Sequence, residues 1–558
     1  MRPRRFTGAV IACCAVLAAV LGLAAYQGAA PASAARRPAA APGGSAAAPA
    51  ADGGQQIAVA AYIHPGADRE AWNRLIEAPS SKVSVLVVNV LNGPDHQRNA
   101  QWADVIQRAH ASGKRVIGYV PTGYLGQVDA GEKAFRTRLG STEVADWIAQ
   151  VQHDVAAWYE LYGSSIDGIF FDEAHNECGF ADEYAELNQF VKRHHPGALT
   201  VLNPGTAVQQ CYENAADVLL TFEGAYQNYR EDAADENLRY RALDWQPEDP
   251  GKIWHILYDV PADRIQEVTA LARERGAGFV QITDDVMDNP YDTLPAESYW
   301  SALVDAVPGG EPAVAEPEPR GGEGPAPATP AGFGAAETDY TSTRLRWSAV
   351  ADAARYNVYL DGELAATLPA PYTAVTIGGL EPEERTYRLH VTAESRTGAE
   401  SEPTAAATVT TLALPDGQRI ANVRVTASDE TITVSADFLT PFAFQRVFLP
   451  AESAGADTPC WTIDYDQAGY VCAVYLVENG RLFVYAGEDV SGRRQWTWRQ
   501  IGTAQPQVDG RYTYTWTIPR QSSGPAVQGD AVVVQGEGYA PLTNIFQPCP
   551  AGEGRCGP

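Results

Sequence analysis

The chain runs to 558 residues, too long for one ordinary domain and enough for two to four. It holds 69 acidic and 41 basic residues for a net charge of −28, the wrong sign for a protein that works by neutralising nucleic-acid phosphates. The ordinary use of such an excess is solubility of an exported protein; its secondary effect is to attract a cationic substrate such as a partly deacetylated amino-sugar polymer.

The first segment carries Arg2, Arg4 and Arg5, an apolar run from Ala9 to Ala25, and the small residues Ala32-Ser33-Ala34. That order predicts a signal peptide over 1–34, cut near Ala34. Val10-Ile11-Ala12-Cys13 has the composition of a lipobox but precedes most of the apolar run, which makes cell-surface attachment the lesser alternative to secretion. No later run is long enough to cross a bilayer, so no stable membrane insertion is expected. Residues 35–54 are mostly Ala, Pro and Gly and predict a disordered lead-in.

From 55 to 307 short apolar runs alternate with amphipathic stretches. Strands are expected over Ile57–Ile63, Val83–Asn89, Arg115–Val120, Ile166–Phe171, Leu199–Asn203, Val218–Phe222, Ile253–Tyr258 and Phe279–Ile282, with helices such as Glu143–Tyr162 and Asp263–Arg275 between most of them. Eight strands in helical alternation fit an α/β fold, a (β/α)8 TIM-type barrel. A doubly wound open sheet would bring a glycine-rich phosphate turn after its first strand, and Tyr62-Ile63-His64-Pro65-Gly66 is not one.

Ligands of such barrels bind beyond the carboxyl ends of the strands. Tyr62 and His64 end the first strand, Asn89 with Asn92 the second, and Tyr119, Thr122 and Tyr124 follow the third. Asp172 and Glu173 end the fourth, Asn203 the fifth, Glu223 with Tyr226 the sixth and Tyr258 the seventh. Aromatic faces stack on sugar rings while amides and carboxylates bond hydroxyl and acetamido groups, so this ring of residues predicts a polysaccharide substrate. Paired carboxylates at two strand ends are what glycosidic cleavage requires. Asp284-Asp285 is better read as a helix cap, no His/Asp/Glu set at ligand spacing calls for a metal or other cofactor, and no Gly-x-Ser-x-Gly elbow is present.

Tyr62-Ile63-His64-Pro65, Asn89-Val90-Leu91-Asn92-Gly93-Pro94, Gly118-Tyr119-Val120-Pro121-Thr122-Gly123-Tyr124 and Gly168-Ile169-Phe170-Phe171-Asp172-Glu173 occur in that order. Together they resemble the spherulin-4 family of glycoside hydrolases, related to polygalactosaminidases, across about 56–306. The resemblance implies a (β/α)8 barrel, cleavage of α-1,4-linked N-acetylgalactosamine polymers, and functional acids at Asp172, Glu173 and Glu223. Independently of it, Asp172 is the expected nucleophile, ionised at its strand end. Glu223 is the expected general acid/base, its longer arm reaching the glycosidic oxygen and Phe222 with Tyr226 walling it off from water. Glu173 points to the opposite side if the strand stays extended, and serves to orient Asp172 or bind substrate; a turn after Phe171 would exchange the two roles. Retention of configuration is expected, and is tested by the separation of the Asp172 and Glu223 carboxylates. A non-catalytic carbohydrate-binding or cell-surface protein on the same scaffold is the alternative, and a different sugar polymer is another.

Residues 308–333 are a Pro/Gly/Glu linker. Over 334–413 the runs Arg344-Leu345-Arg346-Trp347, Tyr356-Asn357-Val358-Tyr359-Leu360 and Tyr387-Arg388-Leu389-His390-Val391 alternate as half-buried strands. Trp347, Tyr359-Leu360-Asp361-Gly362 and Gly379-Leu380 ahead of Tyr387 resemble a fibronectin type III domain. Residues 414–558 predict a further β-sandwich; the aromatic rows Tyr512/Tyr514/Trp516 and Trp496/Trp498 are core more often than sugar platforms. Cys13 and Cys14 leave with the signal. The six remaining cysteines predict disulfides, by locality Cys178–Cys211, Cys460–Cys472 and Cys549–Cys556. A monomer is expected.

Overall fold

The computed structural model describes residues 54–549 apart from 96, 128–133, 231–237, 248–249, 288, 311–323, 443, 451–459, 463–469, 479, 486–497, 521–531 and 538–543. The signal peptide and lead-in, most of the linker, Trp496 and Cys556 lie outside the described residues. Eight parallel strands close into a barrel in chain order: β1 (Gln56–Ala60), β2 (Val83–Val88), β3 (Arg115–Pro121), β4 (Gly168–Asp172), β5 (Leu199–Leu202), β6 (Val218–Ala225), β7 (Ile253–Tyr258) and β8 (Phe279–Ile282). Around it lie α1 (Arg69–Glu77), α2 (Ala100–Ala111), α3 (Val144–Tyr162), α4 (Ala181–His194), the single turn α5 (Tyr226–Tyr229), α6 (Ile265–Glu274) and α7 (Glu297–Ala306).

Both faces of the strands are apolar because both are covered. Val87, Ile117, Phe170, Val201, Leu220 and Trp254 fill the interior, while Leu86, Val116, Phe171, Leu202 and Leu219 pack outward on the helices. The approach of α3 to β3 is close enough to require glycine: a Cβ on Gly118 would lie 2.5 Å from the Trp158 indole, whose Nε1 donates to the Tyr119 carbonyl at 2.8 Å. Among the described residues no helix is long and apolar enough to cross a membrane.

Two antiparallel sheets follow. One has the order β13 (Ala374–Ile377), β10 (Thr343–Arg346), β9 (Gly334–Thr338); the other β12 (Glu363–Pro369), β11 (Arg355–Leu360), β14 (Thr386–Glu394), β15 (Ala407–Thr410). Trp347 and Tyr356 meet edge to face at 5.4 Å in the sandwich core. Edge strands of both sheets, β13 and β12, lie on α3, and β12 also meets α4, through polar pairs that leave little unsatisfied. Gln152 donates to the Thr367 carbonyl at 2.8 Å and accepts its N–H at 2.7 Å, standing in for one residue of a neighbouring strand. Asp146 accepts the Thr376 N–H at 2.6 Å and the Arg344 guanidinium at 3.0 Å. Arg355 bridges Glu186 and Glu394.

The last unit stacks a four-stranded sheet, in the order Ile420–Ala427, Thr431–Phe438, Thr513–Pro519, Gln507–Asp509, on a seven-stranded sheet with its own core. Trp516 is buried in that core with half-buried Tyr514 stacked on it at 5.9 Å, whereas Tyr512 bonds Asp339 of the middle unit. Arg511 binds the Leu139 carbonyl of the barrel, and Asp339 and Ser342 of the middle unit, touching all three units with one side chain. Cys460 and Cys472 are register partners on adjacent strands, and Cys549 ends the last strand.

Candidate active site

Strand periodicity carries the inner face of the barrel up to its mouth. Two residues beyond inward Val87 stands Asn89, beyond Phe170 Asp172, beyond Val201 Asn203, and beyond Ile256 Tyr258. Strict alternation fails on β6. Val218 and Leu220 face in, which would aim Phe222 inward and Glu223 out. Instead the pairing with β7 jumps from Leu220↔Trp254 to Phe222↔His255, leaving Thr221 as an extra residue in a β-bulge. Phe222 joins the outer core and Glu223, opposite inward-facing Ile256, enters the mouth.

There the two acids share one amide. Asn203 Nδ2 donates to Asp172 Oδ1 at 2.7 Å and to Glu223 Oε2 at 2.9 Å, and the Gly205 N–H bonds Asn203 Oδ1 at 2.8 Å, which fixes the amide's orientation. Tyr119 Oη donates to Asp172 Oδ2 at 2.7 Å, and Tyr291 Oη to Glu223 Oε1 at 2.6 Å. Burial holds both carboxyls above the ordinary range, opposed at Asp172 by hydrogen bonds from Tyr119, the Glu173 amide and Asn203 and at Glu223 by those from Tyr291 and Asn203; the charge of Asp172 adds to the rise at Glu223 alone. The arrangement favours Asp172 as the anion and Glu223 as the proton holder.

Glu173 does not continue the extended strand. Its φ of 55° turns the chain, and its carboxyl joins the same cluster, pushed up to about 8 by burial and then by the Asp172 charge. Opposite it, Gly123, Tyr124, Leu125 and Gly126 form a left-handed turn with φ of 55°, 49°, 51° and 74°. A Cβ on Gly123 would lie 2.2 Å from the Trp147 ring. The Tyr124 N–H bonds the Glu173 carbonyl at 2.7 Å, and the charges of Asp172, Glu173 and Glu223, after burial, raise the Tyr124 hydroxyl. Thr122 is wholly buried and bonds the carbonyls of Asp172 and Glu173, each at 2.8 Å, bracing their backbone from behind.

Tyr62 is packed edge-on against Tyr119 at 5.5 Å and Tyr291 at 5.9 Å, and Tyr258 is close enough for Glu223 to raise its hydroxyl, after burial. Asn89 folds over its own loop, accepting the Gly93 N–H at 2.9 Å, and Asn92 is an exposed left-handed turn residue. His64 accepts the Gly66 N–H at 3.1 Å and meets Trp102 edge-on at 6.2 Å, away from the acids' bonds. Tyr226 is buried beneath the Arg230 guanidinium, so neither it nor Phe222 forms the wall expected beside Glu223. Cys178 and Cys211 are disulfide-bonded with Cα atoms 5.7 Å apart, joining the loops that follow β4 and β5.

Tyr291 is the functional residue that sequence reading misses. It comes from the loop after β8, 68 positions from Glu223, in a Pro- and Asp-rich stretch without periodicity. A lone aromatic flanked by turn residues was its only signal. Among the described residues no group of three or more His, Cys, Asp or Glu is placed to hold a metal ion.

Residues 56–307 match the model of the Spherulin4 family, spherulation-specific family 4. Spherulin-4 of Physarum polycephalum is 25% identical over 181 residues, 32% of this chain and 48% of that protein. A poly(3-hydroxybutyrate) depolymerase of Ralstonia pickettii is 41% identical over 90 residues, 16% of this chain and 18% of that one. The chain thus spans half or less of the length of these curated relatives. Among solved structures, Aspergillus clavatus Sph3 in complex with GalNAc is 22% identical with a TM-score of 0.36, covering 46% of this chain and 98% of that one. The structure of FN3tt is 23% identical with a TM-score of 0.14, covering 16% and 97%.

Proposed function

We propose, from the match of residues 56–307 to the spherulation-specific family 4 model, that the chain is a secreted, endo-acting glycoside hydrolase. Its substrate is an amino-sugar exopolysaccharide of the α-1,4-linked N-acetylgalactosamine or galactosamine type. The observation that carries the reading is the Asn203 amide divided between Asp172 and Glu223. It leaves the nearest oxygens of the two carboxyls no farther apart than two hydrogen bonds end to end. That is shorter than the roughly 6.5–9.5 Å an inverting pair needs to admit water, and supports a retaining mechanism.

Asp172 attacks the anomeric carbon as the glycosidic oxygen departs with the proton of Glu223. Water then gives its proton to Glu223 and its oxygen to the anomeric carbon, releasing Asp172. Glu173, protonated at neutral pH, donates to the bound sugar. Tyr62, Tyr124 and Tyr258 provide ring faces and hydroxyls around it, and the two sandwich units act as spacers or sugar-binding modules on a monomeric enzyme.

Product release from purified galactosaminogalactan and a panel of amino-sugar polymers tests this. Wild type should yield oligosaccharides, with Glu223→Gln reduced at least about 10²-fold, as expected for loss of a general acid. Binding without cleavage by wild type would favour the non-catalytic alternative.

A further inference from the structure

The bulge in β6 aims Glu223, and a cluster on the outer face of the barrel wall holds it. Thr221, the extra residue, is buried, and its Oγ1 lies 3.1 Å from His255 Nε2. His255 is the residue on β7 paired with Phe222, just past the break in register. Its other ring nitrogen, Nδ1, lies 2.8 Å from Tyr229 Oη. Tyr229 is wholly buried, its carbonyl accepts a 2.5 Å bond from Arg275, and that guanidinium lies 4.3 Å over the Tyr229 ring and 3.7 Å over the Tyr240 ring.

A polar cluster this deep in an otherwise apolar helix layer is costly unless every member is bonded. A satisfied alternative without it is an ordinary ladder, in which Thr221 pairs with His255 and Phe222 fills the barrel mouth. We propose that His255 is a positioning residue for Glu223, clamping the Thr221 bulge so that the carboxyl is delivered to the inner face. The inference rests on the assignment of Glu223 as the acid. Burial, and after it the Arg275 charge, drive the His255 pKa down to about 3, so the ring is a neutral donor–acceptor pair at every working pH. A neutral imidazole, a hydroxyl and a phenol can close this chain of two bonds in either direction; an imidazolium would set a buried cation beside half-buried Arg275.

Positioning of Glu223 and mere packing leave different marks on its titration. Asp172, Glu173, Tyr124, Tyr258 and Tyr291 surround Glu223 in the mouth, and burial with the Asp172 charge raises its carboxyl there. A Glu223 that swings out of that setting titrates nearer an ordinary glutamate. The experiment follows Glu223 directly, by carboxyl-carbon NMR of glutamate-labelled full-length protein, assigned with Glu223→Gln. Thr221→Val should lower the Glu223 pKa by at least one unit, move the basic limb of kcat/KM down with it, and cut kcat about tenfold or more with KM within twofold. Thr221→Ser, which keeps the hydroxyl, should restore the wild-type titration, and Tyr229→Phe, which frees one end of His255, should shift it in the same direction by less. The second and third variants decide the matter if valine at 221 prevents folding. An unchanged Glu223 titration in folded Thr221→Val and Tyr229→Phe would overturn the proposal, whatever happens to their melting temperatures. Because the titration needs no turnover, a shift observed in a protein that cleaves none of the polymers would uphold the clamp while sinking the hydrolase assignment.

Discussion

At the scale of single residues, the site divides one donor between two acids and gives each a private phenol. Tyr119 stabilises the anion of Asp172 and Tyr291 that of Glu223, so each holds its partner's pKa down against burial. Removing either phenol must therefore raise the pKa of the acid it served. Tyr119→Phe should move the acidic limb of kcat/KM to higher pH, because Asp172 then ionises later. Tyr291→Phe should move the basic limb to higher pH, because Glu223 keeps its proton longer; pH–rate profiles of the two variants check both signs. Glu173 makes a different prediction. Its folded pKa of about 8 lies above the unfolded value of 4.5, so the native state binds the proton more tightly and loses stability as pH rises between those values. With part of that shift set aside for solvent screening, Glu173→Gln should stabilise the protein at pH 8 by about 2 kcal/mol. The gain should vanish near pH 4.5 in parallel thermal melts.

At the scale of elements, the barrel was legible and its exceptions were not. Long apolar runs of strand length ending in Asp172, Asn203 and Tyr258 announce both the sheet and its mouth, and period-2 alternation places their side chains correctly. The same alternation puts Glu223 on the wrong face, because a bulge adds a residue without leaving a mark in composition. Glu173 is misplaced for a related reason: a single left-handed φ is decided by tertiary bonds from Thr122 and Tyr124. The turn that supplies those bonds is itself strained, since left-handed geometry costs roughly 1–2 kcal/mol at each of Tyr124 and Leu125. Gly123 is where a side chain cannot be added at all. Gly123→Ala should cost about 3 kcal/mol or more in denaturant unfolding, through the Trp147 contact and the φ together. The disulfide acts on neighbouring loops. Cys178 and Cys211 close a loop of 33 residues, for which chain entropy predicts a loss of about 3–4 kcal/mol in the Cys178→Ser/Cys211→Ser protein.

At the scale of the molecule, the middle sandwich is joined to the barrel by groups that cannot be left alone in an interior. Gln152, Asp146 and Arg355 are each satisfied only by partners across the boundary or beside it, and Asp146 is 5% exposed. Stripping a buried charge pair of one member costs more than the pair contributes. Asp146→Ala should therefore lower stability by about 3 kcal/mol and resolve into separate calorimetric transitions a barrel and sandwich that melt together in the wild type. The sequence leads one to expect separate units but not this union, since Asp146 and Gln152 read as ordinary polar residues of an amphipathic helix. The third unit adds its own tie where Arg511 reaches Leu139 in the loop leading into α3.

Asn203 is followed by Pro204. Asparagine ages by attack of the next residue's amide nitrogen on its side chain, a ring closure that proline, lacking an N–H, cannot perform. Conversion of this one amide to an acid would set a third carboxylate between the two it joins and remove their shared donor. The amide that joins the two acids is thus protected from slow chemistry by its own neighbour in the chain.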